Sequence, residues 1–246
     1  MSSKKIIFFS GAGISAPSGI KTFRDANGLW ETHKIDEVCN FHTWRKNFEL
    51  VHRFYSQRRM QLRDVKPNEG HFGIRRVFEK YGKENVINIT QNVDNLFEKA
   101  GFKEDEVLHI HGELTKMQCL ACGNVYEIGY NDFDTTKDSC PKCGSMKELK
   151  PKVVFFHEYA PLYKNMMKYF EQLSNPKSIL IVIGTMGNVV PIANMVLNTP
   201  AKKILCNKEP SNFLPKDIFD KTYYESIESA ITKIEDDIKS WWEHGR

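Results

Sequence analysis

The chain has no apolar run near the roughly 18 residues that a membrane-spanning helix needs, so no membrane partner is expected. It also has no block of like charge. Its 35 Lys and Arg are set against 31 Asp and Glu, and the formal net charge of +4 is dispersed. Nucleic-acid binding is therefore not expected, because that requires a basic patch or stripe. Internal repeats and low-complexity stretches are missing. Cysteine is scarce, six in 246 residues, and four of the six form two C-x-x-C pairs, a pattern of metal ligation rather than of disulfides. Met1 to Lys5 and the four apolar residues after them are too short for a signal peptide, so a reducing, cytoplasmic setting is expected. What is present is ordinary for a globular protein, 41% hydrophobic and 27% charged, with length enough for one domain and a small insert.

The stretch that organises the rest is residues 5–37. Ile6-Ile7-Phe8-Phe9 reads as a short buried strand running into Gly11-Ala12-Gly13-Ile14-Ser15-Ala16. That is the G-x-G-x-x-G/A spacing of a dinucleotide turn. Gly11 permits the turn, Gly13 lets backbone amides approach a pyrophosphate, and Ala16 keeps the following helix close to the sheet, with the anion at the helix N-terminus. A tight turn without ligand reads the same way. A hydride-transfer enzyme should add a second strand with an acidic end about 20 residues on. Gly28-Leu29-Trp30-Glu31-Thr32-His33 has no strand pattern, so an ordinary dehydrogenase is not expected.

Four further strands stand out: Val86–Thr90, Val107–Leu114, Ser178–Ile183 and Lys203–Cys206. The first ends in the polar cluster Gln91-Asn92-Val93-Asp94, at the strand end where α/β sheets place ligands, although helix capping also uses such residues. The second carries His109 and His111 on one face, so periodicity does not rank them. Residues 34–80 read as a helical insert, with Phe48, Val51, Phe54 and Tyr55 on one face, a break at Pro67-Asn68, and a second helix bearing Phe72, Val77 and Phe78. Tyr55 and Arg58, three apart, share a helix face and suit a small carboxylate, though a buried Tyr beside a solvated Arg is the plainer reading. Ile227, Ile231, Ile234, Ile238 and Trp241 predict an amphipathic C-terminal helix.

Cys119-x-x-Cys122 and Cys140-x-x-Cys143 lie 17 residues apart, the spacing of a four-cysteine zinc ribbon. Four thiolates leave no open coordination position, so the expected zinc ion (Zn2+) is structural. Asn131-Asp132-Phe133-Asp134 makes the interior acidic and argues against a nucleic-acid ribbon.

GAGISAPSGIKTFRDANGLW resembles the signature of the sirtuins, NAD-dependent protein deacylases, and matching motifs recur in order over residues 5 to about 230. The resemblance implies an α/β fold, one catalytic domain over 1–246. It is a doubly wound (Rossmann-like) parallel sheet with a smaller lobe built from the 34–80 helices and a zinc ribbon over 115–150. It implies NAD as co-substrate, held by Gly11, Ala12, Gly13, Ser15, Phe23, Arg24, Gln91, Asn92, Asp94, Gly184, Thr185 and Asn207. His-Gly before Glu-Leu picks out His111 as the base that deprotonates a ribose hydroxyl, with Asn92 and Asp94 holding the nicotinamide half. Tyr55 and Arg58 match the pair that binds the carboxylate of succinyl- or malonyl-lysine, with Cys39 at a position usually occupied by Ala. Val153, Phe155 and Phe156 match the strand that borders the acyl-lysine channel, and Lys150–Glu158 is expected to return to the main sheet. Pro17, His157 (for Gly) and Met186 (for Ser) depart from the family pattern. The activity implied is removal of acyl groups from lysine in proteins or peptides, as a monomer. An NAD glycohydrolase, an ADP-ribosyltransferase and a non-catalytic NAD- or zinc-dependent module are the alternatives.

Overall fold

The computed structural model describes residues 3–21 and 35–244. The first half contains β1 (Ile6–Ser10), α1 (Ile35–Val38), α2 (Phe48–Leu62), α3 (Glu69–Tyr81), β2 (Val86–Thr90), α4 (Leu96–Lys99), β3 (Val107–His109) and β4 (Gly112–Cys119). Then come β5 (Val125–Glu127), β6 (Leu149–Val153), α5 (Tyr163–Phe170), β7 (Ile179–Ile183) and α6 (Ile192–Val196). The chain finishes with β8 (Lys202–Cys206), β9 (Lys221–Tyr223) and α7 (Ile227–His244).

Six strands form one sheet in the order β3-β2-β1-β7-β8-β9, every neighbouring pair parallel. This is the Rossmann order, with the direction of winding reversing between β1 and β7. Both faces are covered, which is why β7 is apolar throughout and β1 is apolar up to Ser10. Ile6, Phe8, Ile179 and Ile181 face a core closed by α3 and α7, while Ile7, Phe9, Leu180 and Val182 face one closed by α5 and α6. In α7 the residues Ile227, Ile231, Ile234 and Ile238 are buried, as the helical spacing predicts.

A second, antiparallel sheet, β5-β4-β6, packs with α2 around a third core containing Trp44, Val51, Phe54, Met117, Leu149 and Phe155. Here two expectations change. The stretch 150–153 does not rejoin the main sheet; β6 pairs antiparallel with β4 at the edge of the small one. Pro151, which has no N–H to donate, fits an edge strand and not the centre of a parallel sheet. The helices of 34–80 are also divided between two cores. Val51, Phe54 and Tyr55 of α2 belong to the small lobe, but Ile74, Val77 and Phe78 of α3 pack under the main sheet. Asn68 caps α3 through Gly70 N–H, with His71 Nδ1 accepting from the Asn68 amide, and Phe72 is exposed.

The predicted strand 107–114 is two strands. Gly112 adopts φ 87, and β3 ends at His109 while β4 starts a different sheet. The chain therefore crosses between lobes at Ile110-His111, and the two histidines part company.

Candidate active site

The carboxyl ends of β1, β2, β7 and β8 converge at the reversal of winding, where such sheets bind ligands. The glycine turn closes on its neighbour: Gly11 N–H donates to Ile183 O (2.9 Å) and Gly13 N–H to Gly184 O (2.8 Å). These two amides are engaged within the protein and lock the turn to the loop after β7. Gly13 is required because a Cβ there would stand 2.5 Å from Gly184 Cα. No long helix follows among the described residues up to Lys21. The chain continues as two short 3-10 turns, Ala12–Ile14 and Ala16–Ser18, and Ala16 opens the second of them.

Gln91 Nε2 donates to Thr185 Oγ1 (3.0 Å), tying the end of β2 to the loop after β7. Asn207, at the end of β8, grips the Thr185 backbone twice: Nδ2 donates to its carbonyl (2.8 Å) and Oδ1 accepts its N–H (3.1 Å). Gly11, Gly13, Gly184, Thr185, Gln91 and Asn207 thus lie in one crevice. Phe23 and Arg24 lie outside the described residues.

Beneath this crevice Asn92 Nδ2 donates to Ser15 Oγ (3.0 Å), whose own hydroxyl donates to Asp94 Oδ2 (2.9 Å). Ser15 is fully buried, and burial raises the Asp94 pKa. Asp94 Oδ1 also accepts Leu96 N–H (3.1 Å), the first residue of α4, so part of this polar cluster is spent on the turn into that helix. His109 supports the loop from behind. Its Nδ1 meets Asn92 O (2.8 Å) and its Nε2 meets Glu98 Oε1 (2.9 Å). A carbonyl and a carboxylate only accept, so both ring nitrogens donate and His109 is an imidazolium. Burial opposes that charge, but Glu98 outweighs it and the pKa rises.

His111 is the opposite case. Its Nδ1 lies 3.0 Å from Gln91 O and must carry the proton, leaving the Nε2 lone pair facing Tyr163 Oη at 2.9 Å. Burial lowers its pKa below 6.5. His111 is therefore a neutral imidazole with a fixed tautomer at pH 7, which is what a general base requires.

His111 is also joined to the strand expected to border the acyl-lysine channel, since its carbonyl accepts Val154 N–H (2.8 Å). Beyond Val153, Phe155 is buried with its ring stacked on Tyr55 (centroids 5.6 Å), and Phe156 is 42% exposed. The Phe156 backbone bridges to Cys39 O and Phe41 N, which brings Cys39 beside Tyr55; the thiol and phenol are hydrogen-bonded. Arg58 is half-buried, Nη1 donates to Phe54 O (3.0 Å), and burial lowers its pKa to about 10, so it remains a cation at neutral pH. Glu158 Oε2 accepts from both Lys150 Nζ (3.0 Å) and Phe155 N–H (2.8 Å), clasping the same strand from inside.

Sequence reasoning missed Arg59 and Tyr163. Arg59 is fully buried, donating to Ser56 Oγ (2.8 Å) and Asn131 O (3.2 Å) to fasten α2 to the zinc lobe. The signal available was Ser56 three residues before it, on the same face. Nothing in the sequence pointed Tyr163 at His111.

The four cysteine Sγ atoms lie within 4.8 Å of one another, with Cys119–Cys143 at 3.6 Å and Cys122–Cys140 at 3.7 Å. A tetrahedral zinc with Zn–S of about 2.3 Å needs sulfurs about 3.8 Å apart, so the donor set fits. Gly123 (φ 72) and Gly144 (φ 74) supply the left-handed residue that each knuckle needs.

A model of the Sir2 family matches residues 11–191. The chain is 44% identical over 247 residues to an NAD-dependent protein deacylase of Campylobacter jejuni subsp. jejuni serotype O:2, covering 98% of this chain and 99% of that one. It is 41% identical over 257 residues to an NAD-dependent protein deacylase of Helicobacter hepaticus, covering 97% and 98%. A solved Sir2 homolog–NAD complex superposes with a TM-score of 0.79 at 29% identity, over 98% of this chain and 91% of that one. With the family model spanning most of its length and relatives above 40% identity along nearly all of it, the chain belongs to the Sir2 family.

Proposed function

We propose that this chain is an NAD-dependent protein-lysine deacylase that removes acetyl and also acidic acyl groups, succinyl and malonyl among them. The observation that carries the reading is His111, a neutral base whose backbone is hydrogen-bonded to the strand expected to border the acyl-lysine. Bound NAD supplies the electrophilic ribose carbon and the hydroxyl that ends up carrying the acyl group, with release of nicotinamide and O-acyl-ADP-ribose.

The chain's own residues have separable tasks. Gly11, Ala12, Gly13, Gly184, Thr185, Gln91 and Asn207 form the dinucleotide crevice. Ser15, Asn92 and Asp94 form a buried relay of hydrogen bonds that fixes the nicotinamide end. His111 Nε2 takes the proton from the ribose hydroxyl. Val153, Phe155 and Phe156 present the strand on which the substrate backbone is added. Arg58 is a buried-side cation next to Tyr55, and supports recognition of a carboxylate at the acyl end. Cys119, Cys122, Cys140 and Cys143 hold one structural zinc. The reading needs one chain and no nucleic acid, so we propose a monomer acting on acylated-lysine proteins or peptides in the cytoplasm. No helix among the described residues is long and apolar enough to cross a membrane.

Nicotinamide release measured with and without an acyl-lysine peptide tests the reading. Release should depend on the peptide and fall at least a hundredfold in His111→Ala. Release of equal rate without peptide would instead indicate an NAD glycohydrolase.

A further inference from the structure

Tyr163 opens α5, and its hydroxyl lies 2.9 Å from His111 Nε2, the nitrogen that must receive the substrate proton. Because Gln91 O fixes the proton on Nδ1, the phenol can only donate to Nε2 while His111 is neutral. A hydroxyl is also an acceptor. Once Nε2 is protonated, the same phenol oxygen can accept from it by turning its own hydrogen toward solvent, which half-buried Tyr163 can reach. Gln91 O accepts from Nδ1 in both states. The ring therefore has a partner on each nitrogen before and after proton transfer. Burial raises the Tyr163 pKa, so it stays a neutral phenol throughout. Among the described residues, burial lowers the His111 pKa and the bond to Gln91 O opposes that shift.

We propose that Tyr163 is a positioning residue for the base: its hydroxyl holds the His111 ring from the Nε2 side in both charge states and yields that nitrogen to the substrate hydroxyl during turnover. The proton passes from the ribose oxygen to His111 Nε2, and Tyr163 keeps its own. This inference rests on His111 acting as the base of the proposed deacylase. A bond to an imidazolium is stronger than one to a neutral ring, so the contact favours the charged form of His111.

The test is Tyr163→Phe, which keeps the ring and loses only the hydroxyl, with the melting temperature as a check on folding. In the ligand-free protein, histidine-selective 15N NMR should show the His111 Nε2 resonance move and its pKa fall relative to wild type. In turnover with NAD and an acyl-lysine peptide, kcat should fall about fivefold, the equivalent of one ordinary hydrogen bond, with both KM values within about twofold. An unchanged His111 titration and an unchanged kcat in folded Tyr163→Phe would overturn the proposal. If wild type deacylates nothing yet the NMR shift appears, the deacylase reading fails while the Tyr163–His111 coupling stands.

Discussion

Gly13 and Gly184 interlock across the end of the sheet: a Cβ on Gly13 would stand 2.5 Å from Gly184 Cα, and one on Gly184 would stand 2.6 Å from Gly13 Cα. Backbone meets backbone, so neither side has a flexible atom that can give way. The two loops of the dinucleotide crevice are fixed to each other by the absence of two side chains.

Gly13→Ala is therefore expected to separate the loops. NAD affinity should fall by at least about tenfold, and stability by about 1–3 kcal/mol, as for other overpacked sites. Isothermal titration with NAD and a thermal melt read the two effects, and an unchanged Kd would contradict the packing argument.

The small lobe should depend on its metal. Metal analysis is expected to give one zinc per chain, and Cys140→Ser should lose it, because three thiolates no longer close the tetrahedron. Since the zinc ribbon and α2 share one core, loss of zinc should also lower the melting temperature and expose Trp44 fluorescence to quencher. A fully stable, zinc-free Cys140→Ser would show that the cluster does not hold the lobe.

Acid should destabilise the fold before its carboxylates titrate. His52 and His71 are buried and neutral, with burial lowering each pKa to about 4. Between about pH 6.5 and 4 the unfolded chain binds protons at these residues and the folded one does not. Stability should thus fall as pH drops through that window, by on the order of 3 kcal/mol for each residue at its end. His109 acts the other way: its raised pKa stabilises below about pH 6.5, and that contribution is lost as pH rises through the folded value. Urea melts from pH 7 to 4 with His52→Phe, beside wild type, check the first claim. An identical slope in both would refute it.

His157 is the one described non-glycine residue at positive φ, 65, where the family pattern has glycine. Its exposed ring stacks on His42 with centroids 5.4 Å apart. His157→Gly should remove the backbone strain and raise stability by about 1 kcal/mol, measurable as a shift of the urea midpoint. A lower midpoint would mean that the ring stacking outweighs the strain.

The main sheet was legible because burial on both faces demands apolar runs: β7 is apolar throughout, β1 up to Ser10, and β2 and β8 carry shorter runs, the one broken by Asn88 and the other preceded by Lys203. The zinc lobe was legible from cysteine spacing alone. Periodicity failed where the chain changes sheets. Val107–Leu114 alternates as one strand, but Gly112 turns the backbone, so His109 became a charged strut and His111 a neutral base. Local spacing also left out the packing demand on Gly13, whose partner, Gly184, is 171 positions away, so no local motif describes their contact. Arg58 and Arg59 are adjacent and alike in sequence, yet one lies half-buried near Tyr55 and the other is sealed against Asn131. Only the packing of α2 on the zinc lobe separates them.

The most direct measurement is NAD-dependent deacylation of one lysine peptide, carrying either acetyl or succinyl, by wild type, His111→Ala and Arg58→Met. Wild type should release both acyl groups, and His111→Ala should lose both by at least about a hundredfold. Arg58→Met should lose succinyl turnover at least about tenfold and keep acetyl turnover, since only the carboxylate needs the guanidinium. No NAD-dependent acyl release by wild type, or full activity in His111→Ala, would contradict the account.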